Sequence, residues 1–384
     1  MIHWSKNLFR RIFGQTHFSV HFFGICNEIT LYCNINLSNF IFGVNVNTKD
    51  ITRLMINTAV DRGLKEMTDD PKRALRKLVD MGSEFSTGRF QPEIFSIITN
   101  ILENEDSPYY KLIRDFLFNT DFNCVKTFGI NIGYESWTYN ARILRQKAED
   151  LKYSIPWVLG FSYDSSAATK NAMTVDRISN VINDARNLGI NTFAIKEESD
   201  FSPDTAIYDI FLKNEYSAFF YILKDAQITA HQASLLKKAA NVILLINADA
   251  PYAKETCDML YDSGVFYAIY KYYTDADISN LSDPDFYAPL LDFKSSMIFM
   301  TSSNSCYKDG GPVIKDFRFH TNVPAIIWDY YYDAMLVNEI LCDTKCMLHF
   351  DKNGNVYCPE KTKFNILNDG NDILHILSET MPKL

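Results

Sequence analysis

Several features that would point to a familiar class of protein are missing from this 384-residue chain. It has no uninterrupted apolar stretch of about 18 residues, the length that a membrane-spanning helix needs, so we expect no such helix. It has no long run of basic residues and its formal net charge is −9, which argues against nucleic-acid binding. No P-loop, nucleophile elbow or HExxH motif occurs, so nothing supports a nucleotide triphosphatase, a serine hydrolase or a zinc protease.

The eight cysteines are spread along the chain and do not form the dense framework of a small disulfide-rich domain. This distribution favours a reducing compartment, and we expect a cytoplasmic protein. With 47% hydrophobic and 14% aromatic residues, the chain can bury a large core. Its length suits one large domain with an accessory region, or two domains.

Residues 1–48 differ from the rest of the chain. They hold Lys6, Arg10 and Arg11 against a single acid, Glu28, whereas the remainder is strongly acidic. A signal peptide is not indicated, because histidines and an asparagine interrupt the apolar run and no small-residue cleavage site follows. We therefore expect an atypical, poorly ordered N-terminal extension.

Residues 49–150 show the pattern of helices. Pro71, Pro92 and Pro108 each stand at the start of a segment whose apolar residues recur at helical spacing, and Asp70 is placed to cap the first of these helices. No catalytic motif occurs in this region, so we predict a helical cap.

Strand-like and helix-like segments alternate from residue 151 to residue 331. The strands are continuously apolar, which is typical of a parallel sheet covered by helices. This pattern predicts an α/β fold with a partial (β/α)6-type, TIM-like barrel. A doubly wound open sheet is the alternative, but no GxGxxG motif follows the first strand. The predicted strands are 157–161, 192–196, 218–223, 242–246, 265–273, 297–301 and 323–331, and the predicted helices begin at 174, 204, 229, 252 and 283.

Polar residues follow several of these strands, at the ends that form the functional face of such a barrel. Glu197 and Glu198 follow the second strand, Asp225 follows the third, and Asn247 ends the fourth. They would give an acidic mouth able to bind a cofactor or a cation, or to perform general acid–base chemistry. Strand-end loops are also commonly acidic without such a role. Other polar residues at these ends are Asp164, Lys224, Asp249, Lys271, Tyr272, Tyr273 and Asp329.

Residues 332–384 close the chain with a small hairpin segment. Asn353-Gly354 between two alternating stretches predicts a two-residue turn, which would place His349 opposite Cys358. The spacing of four nearby residues could bring ligands together on zinc or an iron–sulfur cluster, although buried thiols without a ligand role are the alternative. This predicted ligand set is Cys342, Cys346, His349 and Cys358.

Four stretches of the chain together resemble one branch of the radical S-adenosylmethionine (radical SAM) enzymes. They read CVKTFGINIGYESWTYNAR, SIPWVLGF, VDRISNVINDARNLGI and LHFDKNGNVYC. Enzymes of this branch have a helical N-terminal region, a partial β/α barrel and a C-terminal segment of the SPASM or twitch type that binds an auxiliary cluster. The resemblance runs from about residue 50 to residue 384 and implies the same architecture here.

The motif that defines these enzymes is absent. The family has a CxxxCxxC loop after the first strand, and its three thiolates hold the [4Fe–4S] cluster that binds the cofactor. Here the loop reads SYDSSAATKNAM, whose hydroxyl groups do not replace thiolates around iron. After the second strand, the family's Gly-Gly-Glu-Pro is replaced by Glu197-Glu198-Ser199-Asp200, which adds bulk and charge where the cofactor would approach the backbone.

The resemblance thus implies the scaffold, whereas the missing loop argues against the reaction. The leading hypothesis is a radical SAM-like pseudoenzyme without a cofactor at the usual cluster position, serving as a binding or partner subunit for a peptide or an active paralogue. The alternative is an enzyme that acts on a peptide or small molecule, either with S-adenosylmethionine through unexpected ligands or through the acidic mouth. In related enzymes a cysteine that matches Cys358 binds an auxiliary cluster, but Cys342 is displaced from the other expected position.

Overall fold

The structure, a computed structural model, describes the chain from residue 48 onward with short gaps. The described residues are 48–67, 70–85, 89, 99, 102–103, 107–166, 172–199, 205–225, 227–302, 305–358, 360–368 and 370–384. Residues 1–54 and 55–384 form two separate units, and the first unit is described only from residue 48. Apart from Thr48, the predicted N-terminal extension lies outside the described residues, as does the start of the helix predicted at Pro92.

Helices precede the sheet along the chain. Asp70 accepts a hydrogen bond from the backbone N–H of Arg73 at 3.1 Å, and Pro71 begins the following helix. The prediction that Asp70 caps the N-terminus of this helix is therefore confirmed. The elements are α1 (Thr48–Glu66), α2 (Pro71–Phe85), α3 (Pro108–Asn119), α4 (Phe122–Ile130), a π-helical segment (Asn131–Asn140) and α5 (Ala141–Leu151). Within the described ranges, no helix is long and apolar enough to cross a bilayer.

One ten-stranded sheet forms the centre of the larger unit. Seven parallel strands follow one another in chain order: β1 (Val158–Tyr163), β2 (Thr192–Glu197), β3 (Ala218–Leu223), β4 (Val242–Asn247), β5 (Tyr267–Tyr273), β6 (Met297–Ser302) and β7 (Ile326–Asp329). On the other side of β1 lie β8 (Leu348–Phe350), which is parallel to it, and the antiparallel strands β9 (Asn355–Cys358) and β10 (Glu360–Asn365). The α/β fold with a partial barrel is confirmed, because β7 and β10 are the two edges of an open sheet.

Helices cover the outer face of this curved sheet. They are α6 (Val175–Asn187), α7 (Ala206–Lys213), α8 (Ala230–Ala239), α9 (Ala253–Ser263), α10 (Pro284–Tyr287), α11 (Tyr307–His320), α12 (Tyr330–Cys342) and α13 (Ile373–Thr380). Side chains alternate between the two faces of each strand. Phe193 and Ile195 of β2 therefore pack in the helix-covered core, whereas Ala194 between them faces the inside of the curve. At the amino-terminal end of that inner face, the ring of Phe128 from α4 packs against Phe220 and covers the apolar side chains there.

The end of the predicted strand 323–331 is wrong. The strand stops at Asp329, whose carboxylate accepts a hydrogen bond from the backbone N–H of Tyr332 at 2.7 Å and so caps α12. Helix α11 is absent from the predicted elements, because its sequence contains Gly310, Gly311 and a proline, which are typical of a loop. Close packing explains the glycine at both positions, because a Cβ on either residue would overlap a tyrosine side chain of a neighbouring element.

Asp329 also belongs to a buried charged network under β7. The carboxylate is fully buried and accepts a hydrogen bond from the Tyr273 hydroxyl at 2.6 Å. One helical turn later, Asp333 accepts two 2.9 Å hydrogen bonds from Arg318 and another at 2.8 Å from the backbone N–H of Asp329. Burial raises the pKa of Asp329 to about 6, with a smaller contribution from the negative charge of Asp333.

We expect this carboxyl group to make the stability of the fold depend on pH. Because its pKa is raised in the folded protein, its stabilising contribution is complete below about pH 4 and is lost as the pH rises through about 6. Asp329→Asn keeps an oxygen for the Tyr273 hydroxyl and removes the titration. Relative to the wild type, the variant should gain up to about 3 kcal/mol in unfolding free energy between about pH 4 and pH 7. Urea unfolding across this range measures the difference.

Asp184→Asn is the matched control, because Asp184 is an exposed aspartate on α6. Its stability curve should run parallel to that of the wild type. A parallel curve for Asp329→Asn as well would show that the buried carboxyl group does not titrate in this range.

Candidate functional site

A cavity of about 300 Å³ lies inside the curved sheet, near the carboxyl-terminal ends of the parallel strands. We call it the central cavity. Its floor is apolar and contains Ala194, Ile222, Leu245 and Phe299. One side, which we call the tyrosine wall, is formed by Tyr270, Tyr272, Tyr330 and Tyr331. The polar residues that line the cavity are Ser162, Lys196, Glu198, Thr301, His349 and Asp351.

His349 projects into the cavity from β8, next to β1. Its Nε2 atom lies 3.1 Å from the Ser162 hydroxyl oxygen. The imidazole ring lies so close to the backbone of Gly160 that a Cβ at this position would overlap it, so only glycine leaves room for the ring. Burial, together with the positive charge of Lys196, lowers the pKa of His349 to about 4. The imidazole is therefore neutral at physiological pH and can both donate and accept one hydrogen bond.

Lys196 and Glu198 form an ion pair at the rim, on the inner face of β2. Their charged atoms are 3.4 Å apart, and about a quarter of each side chain is exposed. The Lys196 ammonium group also lies 3.4 Å from the Tyr272 hydroxyl. On the other side, Lys352 lies 3.4 Å from Asp164 and 3.9 Å from Glu198. The rim thus carries two cations and two carboxylates within reach of one another.

The tyrosine wall is built from two pairs of rings packed edge to face. Tyr270 and Tyr272 have ring centroids 5.7 Å apart, and Tyr330 and Tyr331 have centroids 5.0 Å apart. The Tyr270 hydroxyl donates a hydrogen bond to the carbonyl of Leu223 at 3.0 Å, which fixes this ring. Burial raises the pKa of Tyr331 to about 12 and raises the pKa values of Tyr270 and Tyr330 as well, so these side chains remain neutral phenols.

Only one of the four residues predicted for the mouth lines the central cavity. Glu198 lies at its rim, whereas the neighbouring Glu197 is fully buried on the helix-covered side of the sheet. Its Oε1 atom accepts hydrogen bonds from the Ser165 N–H, the Ser165 hydroxyl and the Ser199 N–H at 3.0–3.2 Å, which ties the β1 loop to β2. Asp225 and Asn247 lie at the ends of β3 and β4, beside a separate small pocket next to α9.

The predicted register of the C-terminal hairpin is wrong by one residue. His349 pairs with Tyr357, and the two backbone hydrogen bonds that close the turn join Asp351 to Asn355 and to Gly354. The turn has three residues, because Gly354 adopts a left-handed conformation (φ +78°) and adds one residue to the loop. A one-residue shift moves every side chain to the other face of the strand.

The four predicted metal ligands consequently lie on two faces of the sheet. His349 faces the cavity, whereas Cys346 and Cys358 face the helix-covered core, with Cys342 packed against its edge. Burial raises the pKa values of Cys342 and Cys358 to about 11 and that of Cys346 to about 12, so all three are protonated thiols at neutral pH in the absence of a metal. Among the described residues, no group of three histidine, cysteine or carboxylate side chains could hold a metal ion. The geometry gives no support to a shared metal site at these residues.

An iron–sulfur cluster of the radical SAM kind does not fit the central cavity. Such a cluster needs three thiolates at one place, and no described cysteine is among the residues that line the cavity. In the described part of the loop after β1, Ser162 contacts His349 and Ser165 contacts Glu197.

The sequence named Glu198, Tyr272 and His349, but it missed most other residues of the cavity, above all Lys196 and the other three rings of the tyrosine wall. The signal that could have found Lys196 is the alternation of a strand, because Glu197 and Glu198 cannot both face inward when β2 continues to Glu197. Tyr330 and Tyr331 were assigned to a strand, whereas they begin α12 and turn their rings into the mouth.

The known proteins to which this chain is similar are found among solved structures. Neither the protein-family models nor the curated protein sequences include a match. Solved structures with a similar fold include SuiB from Streptococcus suis. In fold, this chain resembles SuiB. SuiB bound to the precursor peptide SuiA has a TM-score of 0.43 and 10% identity over 62% of this chain and 68% of SuiB.

A second SuiB structure, bound to S-adenosylmethionine, has a TM-score of 0.41 and 12% identity over 62% of this chain and 69% of SuiB. At such low identity the likeness concerns the fold alone.

We expect His349 to stay neutral throughout the ordinary pH range. Because its pKa is lowered to about 4 by burial, its ring proton signals should not shift between about pH 5.5 and pH 8. Proton NMR of the imidazole C–H groups measures this, and the His349→Gln variant assigns the signal by its loss. A signal from His349 that titrates near pH 6.5 would show that the ring is hydrated and lies outside the cavity.

We also expect Gly160→Ala to destabilise the protein by about 1–3 kcal/mol, because the added methyl group would displace the His349 ring. Gly129→Ala on α4 is the matched control, since nothing lies within 4 Å of the added Cβ. The control should be neutral or stabilising, because alanine favours a helix over glycine. Equal effects of the two changes on the unfolding free energy would contradict this packing.

Proposed function

We propose that this chain is a radical SAM-like protein that does not perform radical chemistry and instead binds a ligand in its central cavity, as a binding or partner subunit. The observation that carries the proposal is the lining of this cavity. Its described residues offer phenols, a neutral imidazole and an ion pair, with no cysteine among them. These groups recognise ligands by hydrogen bonding, stacking and charge.

The loop after β1 supports this proposal because its described polar groups already have structural partners. The Ser165 N–H and hydroxyl bind Glu197, and Asp164 accepts hydrogen bonds from the Ser166 N–H and hydroxyl. Hydrogen bonds from Ser166, together with the nearby positive charge of Lys352, lower the pKa of Asp164. Its carboxylate is therefore charged, and its ion pair with Lys352 holds the loop to the C-terminal hairpin. The loop thus connects two parts of the fold.

The chain after β2 supports the same proposal. Where the family has glycines, Glu198 places a carboxylate at the rim, 3.4 Å from Lys196 and 3.9 Å from Lys352. Because the rim carries both signs of charge at this point, it suits a ligand that has both. SuiB binds a precursor peptide and S-adenosylmethionine, so a peptide and this cofactor are the first ligands to compare.

Anaerobic reconstitution with iron and sulfide tests whether the radical reaction is lost. We expect no stoichiometric four-iron cluster, no charge-transfer absorbance, and no reductive cleavage of S-adenosylmethionine, because the described cavity offers no thiolate. A four-iron cluster that cleaves S-adenosylmethionine would refute the proposal. Iron or zinc that is lost in the Cys358→Ala variant would instead locate a metal at the hairpin.

A further inference from the structure

The central cavity is small and has one aromatic side. Its volume of about 300 Å³ lies at the lower end of the range for ligand pockets, about 300–1,000 Å³. This size suits one compact molecule and excludes a long segment of peptide. Tyr272 is 40% exposed although it lines the cavity, so part of its ring is free to contact a ligand. Aromatic rings prefer to pack edge to face or offset against other rings, and the tyrosine wall offers both faces and edges.

Around the cavity lie two lysines, each paired with a carboxylate, and one further carboxylate on the hairpin. Lys196 is close to Glu198, and Lys352 is close to Asp164. Asp351, the remaining carboxylate, accepts hydrogen bonds from the amides of the hairpin turn. The lowered pKa keeps His349 uncharged. At the pair of Lys196 and Glu198, a ligand with a single charge meets repulsion beside attraction, whereas a zwitterion can place its anion on the lysine and its cation on the glutamate.

We infer that the central cavity binds a free aromatic α-amino acid, with its ring against the tyrosine wall, its carboxylate on Lys196 and its ammonium group on Glu198. The two charged side chains come from alternate positions of β2 and lie 3.4 Å apart at the rim, beside Tyr272. This spacing matches the short distance between the two charged groups of an α-amino acid. The inference names the ligand class of the site under the proposed function and rests on that function.

Isothermal titration calorimetry of the full chain with L-phenylalanine tests the inference. We expect saturable binding of one molecule per chain. L-alanine, which lacks the ring, phenethylamine, which lacks the carboxylate, and 3-phenylpropionate, which lacks the ammonium group, should each bind at least about tenfold more weakly, because each loses ring packing or a charge-assisted hydrogen bond.

Two variants separate the roles of the charged groups. Lys196→Met should weaken L-phenylalanine about tenfold or more and strengthen phenethylamine, because phenethylamine has no carboxylate to lose and its ammonium group is no longer repelled by the lysine. Glu198→Gln should weaken L-phenylalanine similarly and strengthen 3-phenylpropionate, whose carboxylate is no longer repelled by the glutamate. Lys254→Met is the matched control, since Lys254 pairs with Asp258 on the outer helix α9, and its binding should equal that of the wild type.

Three results would overturn the inference: no binding of L-phenylalanine, equal affinity for all four compounds, or loss of phenethylamine binding in Lys196→Met. Binding of S-adenosylmethionine that is tighter than that of L-phenylalanine and is abolished by Lys196→Met would overturn it too, because the site would then accept a much larger ligand. Failure here is distinguishable from failure of the proposed function, which is decided by the iron content and cofactor cleavage of the same protein.

Discussion

The alternation of side chains along a parallel strand decides which groups reach the inside of this protein. On β2, Ala194, Lys196 and Glu198 face the cavity, whereas Glu197 is buried on the other side. Two adjacent glutamates therefore have different roles: one orders the β1 loop through three hydrogen bonds, and the other carries charge at the rim. The same rule places His349 and Tyr357 inside and Cys358 outside.

The chemistry of the cavity follows from which atoms the strands present. Iron–sulfur clusters are held by thiolates, whereas phenols and a neutral imidazole donate and accept hydrogen bonds, and an ion pair acts through charge. In the described cavity the polar groups are of the second kind. Because Gly160 has no side chain, the imidazole ring of His349 can lie against β1, with its Nε2 atom next to the Ser162 hydroxyl.

Much of the fold could be predicted from the sequence. Apolar strands of regular spacing and a capping residue such as Asp70 are local signals, and the strands that they predicted from 157 to 331 and the helix at Pro71 are present among the described residues. Helix α11 was missed because a glycine within a helix suggests a loop, whereas Gly310 is there to make room for the ring of Tyr273, which is distant in sequence. The hairpin register was missed because a single residue, Gly354, decides whether the turn has two or three residues. The candidate site was predictable only in part, since side-chain direction depends on where each strand ends.

The position of β8 has a consequence for the order in which the chain is built. Leu159 of β1 pairs with Leu348, so one neighbour of the first strand is separated from it by most of the sheet-forming sequence. A growing chain can pair β1 with β2 early, but the second edge of β1 stays open until the last strands have been synthesised. Contacts of such long sequence separation slow folding and leave an exposed strand edge in the meantime. The side of the central cavity that carries His349, strand β8, therefore forms late in folding.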